Sequence, residues 1–396
     1  MQALRDHGTA PRRRWPWLLA LSVVVLALAA GGVAFALTRG KGTTTVRCGS
    51  GSCRASGQQG SQASDAAATT IAVSSVKPAT GATSVPSDTS VVVRFTSPVR
   101  SGGVTPSINP AVAGSWHASG RDELVFTPVA PFVPGTKYTV TVPGGQTGVQ
   151  GTGGAHLPST VTESFTVAAG SLTRLQQLLA VLGYLPLSYA TPGVPAQDMA
   201  MPQPGTLQWR WSMPAALTDQ WVQGYTNPIT KGAIMTFETH NGLTVDGIPG
   251  PAVWTALLAD VSSHKADTAP YTYVEVTKTL PEHLTAWVNG ALQFANIPVN
   301  TGVPGATTAD GTFQVFEHVR ASHMSGTDIT GTKYTITTVP WASYFNGGDA
   351  LHGFVRAAYG FPQSNGCVEM RVTTAGHLWP YTPIGTLVTV GGPSAG

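Results

Sequence analysis

A multidomain, mainly β protein with an N-terminal membrane span and one small helical module is what this sequence predicts. Three observations carry that expectation. Charged residues are only 10% of the 396, against about a quarter in ordinary globular domains, while Gly (46) and Pro (30) are plentiful enough to punctuate many short strands. Alternating, β-branched runs fill the stretch before residue 168 and return after residue 270. Between them, Leu172, Leu175, Leu178, Leu179 and Leu182 fall at helical spacing. The formal charge of +3 is small and gathered near the N-terminus, which argues against nucleic acid as a partner. No Gly-rich phosphate loop and no zinc-type Cys/His spacing is present, so neither a cofactor nor a metal is expected.

Residues 1–16 form a basic segment with Arg5, Arg12, Arg13 and Arg14, and residues 17–37 then carry no charge. About 20 apolar residues suffice to cross the hydrocarbon core. Trp15 and Trp17 stand at the entry, where aromatic rings favour the interface. The basic flank predicts an N-terminus in the cytoplasm, an anchor in the cytoplasmic membrane, and the body of the chain outside in the cell envelope. A cleaved signal peptide ending near Ala34-Phe35-Ala36 is the alternative, and the length of the apolar run favours the anchor. Residues 38–70 are rich in Gly, Ser, Gln and Ala and read as a flexible linker. Cys48 and Cys53 lie in it and are placed to close a small disulfide loop outside the membrane.

From 71 to 168, segments such as Ser90–Phe95, Tyr138–Val142 and Ser164–Val167 alternate, separated by turn signals at Pro134-Gly135 and Pro143-Gly144-Gly145. That is the pattern of a β-sandwich, and SVKPATGATSVPSDTSVVVRFTSPV resembles bacterial Ig-like domains of exported wall proteins. No catalytic grouping occurs here, so a spacer is expected ahead of a binding role. Residues 171–262 read as helices at both ends, with Gly183 stopping the first and an Asp246-Gly247-Ile248-Pro249-Gly250 turn between the last two. LQQLLAVLGY with GLTVDGIPGPAVWTAL resembles the small three-helix peptidoglycan-binding domain, interrupted by an insertion at 187–227. A helical spacer without ligand is the competing reading.

The region 270–393 returns to strands: Tyr271–Thr277, Leu284–Val288 and Ala291–Asn296, with Asn289-Gly290 as a hairpin turn. A short helix is expected over 372–381 and a last strand over 387–390. Within this region Cys367 is the one cysteine outside the N-terminal part of the chain, and His352 lies upstream of it. A thiol acts as a nucleophile through its thiolate, so it needs a base or an electropositive pocket nearby. Gly366 leaves little bulk before the sulfur and permits a tight turn whose amides face a developing oxyanion. A helix starting just past Cys367 would favour the thiolate. The bland alternative is a packed cysteine and a satisfied histidine. Glu317, His318, His323 and Asp328 do not read as a metal site, since two histidines five apart share neither a strand face nor adjacent helical turns.

The whole string HGFVRAAYGFPQSNGCVEM resembles the signature of the L,D-transpeptidase catalytic domain (YkuD-type), through His352, Gly353, Ser364, Gly366, Cys367, Val368 and Met370. Asn365 stands where that family usually has a second histidine, and Glu369 where Arg or Asn is usual. The resemblance implies Cys367 as nucleophile and His352 as base, with Ser364, Asn365, Gly366 and Gly353 shaping the oxyanion pocket. Trp341, Tyr344 and Phe345 would wall the substrate cleft, or pack in the core. It further implies peptidoglycan stem peptides and glycan as partners, release of D-Ala, 3→3 cross-linking and sensitivity to carbapenem-type inhibitors. An L,D-carboxypeptidase on the same stems, or a non-catalytic wall-binding scaffold, are the alternatives.

Overall fold

The computed structural model describes residues 70–191 and 193–391. The predicted span 17–37 and the cysteines at 48 and 53 lie outside the described residues. Among the described residues no helix is long and apolar enough to cross a membrane.

The first seven strands are β1 (Val73–Lys77), β2 (Val91–Phe95), β3 (Ser107–Asn109), β4 (Gly114–Ala118), β5 (Glu123–Pro128), β6 (Lys137–Val142) and β7 (Val161–Thr166). They make two sheets, β1-β2-β5-β4 and β3-β6-β7. Alternation decides which side chains meet between them. In β2, Val91, Val93 and Phe95 are buried while Arg94 points out; in β6, Tyr138, Val140 and Val142 are buried. Phe132, Tyr138 and Phe165 pack edge-on or stacked in this core.

The helical module is more elaborate than three helices. Its helices are α1 (Leu172–Val181), the single turn α2 (Ala215–Thr218), α3 (Pro228–His240) and α4 (Pro251–Ser262), joined by a small ladder of β8 (Leu187–Ser188) and β9 (Gln208–Trp209). The insertion is the cause: α2 and both short strands lie within it. Asn227 caps α3 by accepting from the Thr230 N–H at 2.8 Å, and Pro228 follows at N1. The Asp246-Gly247 turn is held from inside. Both of its N–H groups donate to one buried oxygen of Glu238, at 3.0 and 2.9 Å, and Gly247 has φ +70°.

The last region has two sheets. One is β12 (Ala291–Pro298), β11 (His283–Val288), β10 (Thr272–Thr277), β18 (Leu387–Gly391) and β13 (Gly311–Gln314), in that spatial order. The other is β14 (Glu317–Thr327), β15 (Lys333–Asn346), β16 (Asp349–Gly353) and β17 (Val368–Met370). Val274, Leu284, Val299, Phe345, Leu351, Val368 and Val388 fill the space between them. Helix α5 (Val372–Leu378) closes one side, with Ala375 and Leu378 buried. The helical module is fused to this region: Tyr273 and Leu387 belong to the same buried cluster as Leu178, Phe237 and Trp254. At the seam Gly232 meets Gly385 so closely that a Cβ on Gly232 would lie 2.5 Å from the Gly385 carbonyl oxygen.

Candidate active site

Strand pairing brings the two chemically distinctive residues together. The β15–β16 hairpin turns at Gly347-Gly348 and leads into His352; β16 then pairs in parallel with β17, Leu351 opposite Val368 and His352 opposite Glu369. Paired residues share a face and neighbours alternate. Leu351 and Val368 enter the core, so His352, Glu369 and Cys367 share the opposite face. All three line one cleft of about 680 Å³, together with Tyr344, Asp349, Arg356, Ser364 and Asn365. The β14–β15 hairpin overhangs it with His323, Met324, Tyr334 and Ile336.

His352 is 3% exposed, and its Nδ1 lies 3.1 Å from the Gly353 carbonyl oxygen. A carbonyl only accepts, so Nδ1 carries the proton and Nε2 is left as the basic nitrogen. Burial pushes the imidazole pKa below its usual value, so the ring is neutral. Cys367 is partly covered, and its Sγ donates to the Gly348 carbonyl at 3.4 Å. Desolvation, reinforced by the carboxylates of Asp349 and Glu369, pushes the thiol up to about 12. The short helix starts at Val372 as expected, but β17 lies between it and the sulfur, so its N-terminus does not adjoin Cys367. The resting pair is therefore thiol and imidazole, not an ion pair.

The turn before the sulfur is tightly braced. Gly366 has φ +119°, and a Cβ there would sit 2.5 Å from Asp349 Oδ1. Ser364 Oγ accepts from the Gly366 N–H at 3.2 Å and donates to the Cys367 carbonyl at 2.5 Å, so its hydroxyl staples the turn. Asn365 is exposed at the rim. Gly353 lies away from the cleft, where a Cβ would meet the α5 backbone at Val372, 2.9 Å away.

The three aromatics part company by strand alternation. Tyr344, paired with Ala350, lines the cleft, its hydroxyl 2.7 Å from Ser322 Oγ. Phe345 is 3% exposed in the core instead, and Trp341 packs behind the sheet near Trp379 with Arg320 over its ring. His318 stacks on Trp379 at 3.9 Å and donates to its carbonyl, while His323 faces the cleft. Among the described residues no three His, Cys, Asp or Glu side chains form a metal-holding group.

Two residues that sequence reasoning passed over matter here. Arg356 grips Glu369 with both nitrogens, Nε to Oε2 at 2.7 Å and Nη2 to Oε1 at 2.8 Å, and lies over the Phe354 ring. Buried carboxylates demand a partner, and that demand at Glu369 was the signal available in the sequence. Asp349 reaches the Ala309 N–H and Asn346 Nδ2, at 3.3 and 3.2 Å; burial pushes its carboxyl pKa up.

Residues 271–390 match the family model described as the L,D-transpeptidase catalytic domain. Residues 67–167 match a bacterial Ig-like domain, and 217–257 a putative peptidoglycan binding domain, a match that leaves out α1. Curated proteins give no match. Among solved structures the chain is similar to an L,D-transpeptidase from Mycobacterium smegmatis, with 14% identity over 82% of this chain and 100% of the other (TM-score 0.29). It is similar to L,D-transpeptidase 3 from Mycobacterium tuberculosis, 14% identical over 81% and 99% (TM-score 0.29). The catalytic domain of the E. faecium L,D-transpeptidase is 23% identical over 32% of this chain and 100% of its own length (TM-score 0.28).

Proposed function

From a chain that carries an L,D-transpeptidase catalytic domain behind an Ig-like domain and a peptidoglycan-binding match, we propose a peptidoglycan transpeptidase that makes 3→3 cross-links through an acyl-enzyme on Cys367. One observation carries the reading. His352 and Cys367 share a face of adjacent parallel strands and open into the same cleft.

Each step follows from that placement. As Sγ bonds to the carbonyl carbon of the stem's diamino acid, Nε2 of His352 takes the thiol proton. A neutral resting pair requires these two events to be coupled. The backbone amide of Cys367 receives the oxyanion. The C–N bond to D-Ala then breaks, and the proton passes from His352 to the departing nitrogen. An amine of a neighbouring stem attacks the thioester; its proton returns through His352 to the sulfur, and the thiol is restored. The pair Arg356–Glu369 moderates the charge of the cleft's buried carboxylate during this sequence. Carbapenem-type inhibitors would enter at the same sulfur. The cell envelope is the site of action, with residues 17–37 as anchor and the peptidoglycan-binding stretch holding the wall.

Intact-mass measurement on the protein incubated with stem tetrapeptide or a carbapenem tests this. An acyl adduct on the wild type, absent in Cys367→Ala, is expected. With tetrapeptide and acceptor stem, a cross-linked dimer supports transpeptidation, whereas tripeptide alone makes the enzyme a carboxypeptidase. Wall binding without any adduct would leave only a scaffold.

A further inference from the structure

The segment that follows β12 runs alongside the nucleophile turn and holds it throughout. Asn300 and Glu369 exchange both backbone hydrogen bonds at 2.9 Å, and the N–H groups of Gln363 and Ser364 donate to the Thr301 carbonyl. Thr301 is fixed in turn by the buried Glu282, through its N–H and its hydroxyl, both at 2.7 Å. The chain then loops back, and Thr308, 1% exposed, turns its hydroxyl inward. That oxygen accepts from the Gly302 N–H at 3.0 Å, and its one proton goes to the Gly366 carbonyl at 2.7 Å. Lys278, 2% exposed, secures the same loop by donating to the Thr308 carbonyl and pairing with Asp310 at 2.6 Å.

The peptide between Gly366 and Cys367 is a rigid trans plane, so its C=O and N–H point in opposite directions. With the Gly366 oxygen drawn to Thr308, the Cys367 N–H is aimed the other way. Among the described residues that N–H has no hydrogen-bond acceptor. Gly366, at φ +119°, has no side chain to resist rotation of this plane. Ser364 holds the Gly366 N–H and the Cys367 carbonyl on either side of this plane, and among the described residues the only hydroxyl on the Gly366 oxygen itself is that of Thr308.

We propose that Thr308 is a positioning residue whose hydroxyl locks the Gly366–Cys367 peptide so that the Cys367 amide faces the developing oxyanion. This rests on the acyl-enzyme reading of Cys367. Losing one oxyanion donor slows acyl transfer about 10²–10³-fold, whereas alkylation of sulfur by iodoacetamide forms no oxyanion.

Two rates on the full chain separate the roles: acylation by a carbapenem and alkylation by iodoacetamide. Thr308→Val is expected to slow acylation on the order of 10²-fold and leave alkylation within about threefold. Thr308→Ser, which keeps the donor, is expected to restore acylation. Unchanged acylation in Thr308→Val, equal changes in both rates, or failure of Thr308→Ser to recover would overturn the proposal. A wild-type protein that alkylates but never acylates would instead sink the reading of Cys367, and this inference with it.

Discussion

The sulfur of Cys367 is held as a thiol by its surroundings, which have withdrawn water and placed Asp349 and Glu369 near it. With that pKa pushed up to about 12 and the His352 pKa pushed down, the reactive form is the uncharged pair. The sign follows. Acylation rises with pH as His352 loses its proton, in a limb below the ordinary histidine value near 6.5, and then stays level through neutrality. Alkylation by iodoacetamide, which needs thiolate, keeps climbing about tenfold per pH unit from 7 to 10. Stopped assays at each pH give both profiles, and an alkylation plateau below pH 8 would show a pre-formed thiolate instead. That His352 and Cys367 meet in one cleft was legible in the sequence, because one contiguous string holds them both with the glycine that the turn requires. Their protonation states were not legible, since these depend on burial and on Asp349, which the fold brings in from a hairpin turn. Alternation could have sorted Tyr344 from Trp341 and Phe345, as residue 344 has the opposite parity along β15.

Between β16 and β17 the loop through Phe354 to Gln363 curls back so that Arg356 clamps Glu369. The clamp answers the charge that Glu369 would otherwise place on the face of Cys367 and His352. Arg356→Ala is expected to slow acylation by at least about tenfold, by leaving a buried carboxylate unpaired. The double variant Arg356→Ala with Glu369→Gln recovers most of that loss, and acylation rates of the three variants and wild type close the cycle. If Glu369→Gln fails to relieve Arg356→Ala, the arginine acts by some other route than neutralisation. The most extensive element that sequence reasoning missed is the β14–β15 hairpin, paired from Glu317–Tyr344 to Thr327–Lys333. Much of its length is exposed on both faces, so no hydrophobic alternation marks it. It is held by its own ladder, and by Asp328, which accepts from the N–H groups of Thr330 and Thr332 at its tip. The turn at Asp246-Gly247 was readable, and its reason, Glu238 beneath it, was not.

The body of the molecule is less modular than the sequence suggests. Three stretches resemble three separate domains, yet the helical module and the last β region bury one another's residues. Gln314 reaches the Pro228 carbonyl, Gln220 reaches Thr312, and Thr236 reaches the Ile384 carbonyl. No periodicity encodes a contact between distant elements, so a seam of this kind is invisible until the chain is folded. A fragment of residues 270–391 alone would expose Tyr273 and Leu387 and is expected to unfold well below the temperature of the 70–391 body in calorimetry. Gly232→Ala, which thrusts a methyl at the Gly385 carbonyl, is expected to cost about 1–3 kcal/mol in denaturant unfolding of that body; a silent Gly232→Ala would mean the seam opens freely. Where Gly232 and Gly385 approach, a Cβ on either would fall 2.5 Å from the other's carbonyl oxygen, and Thr236 and Leu387 close the remaining space. A pull applied to the helices is thus handed to the thiol-bearing sheets without slack, as through a weld and not a swivel.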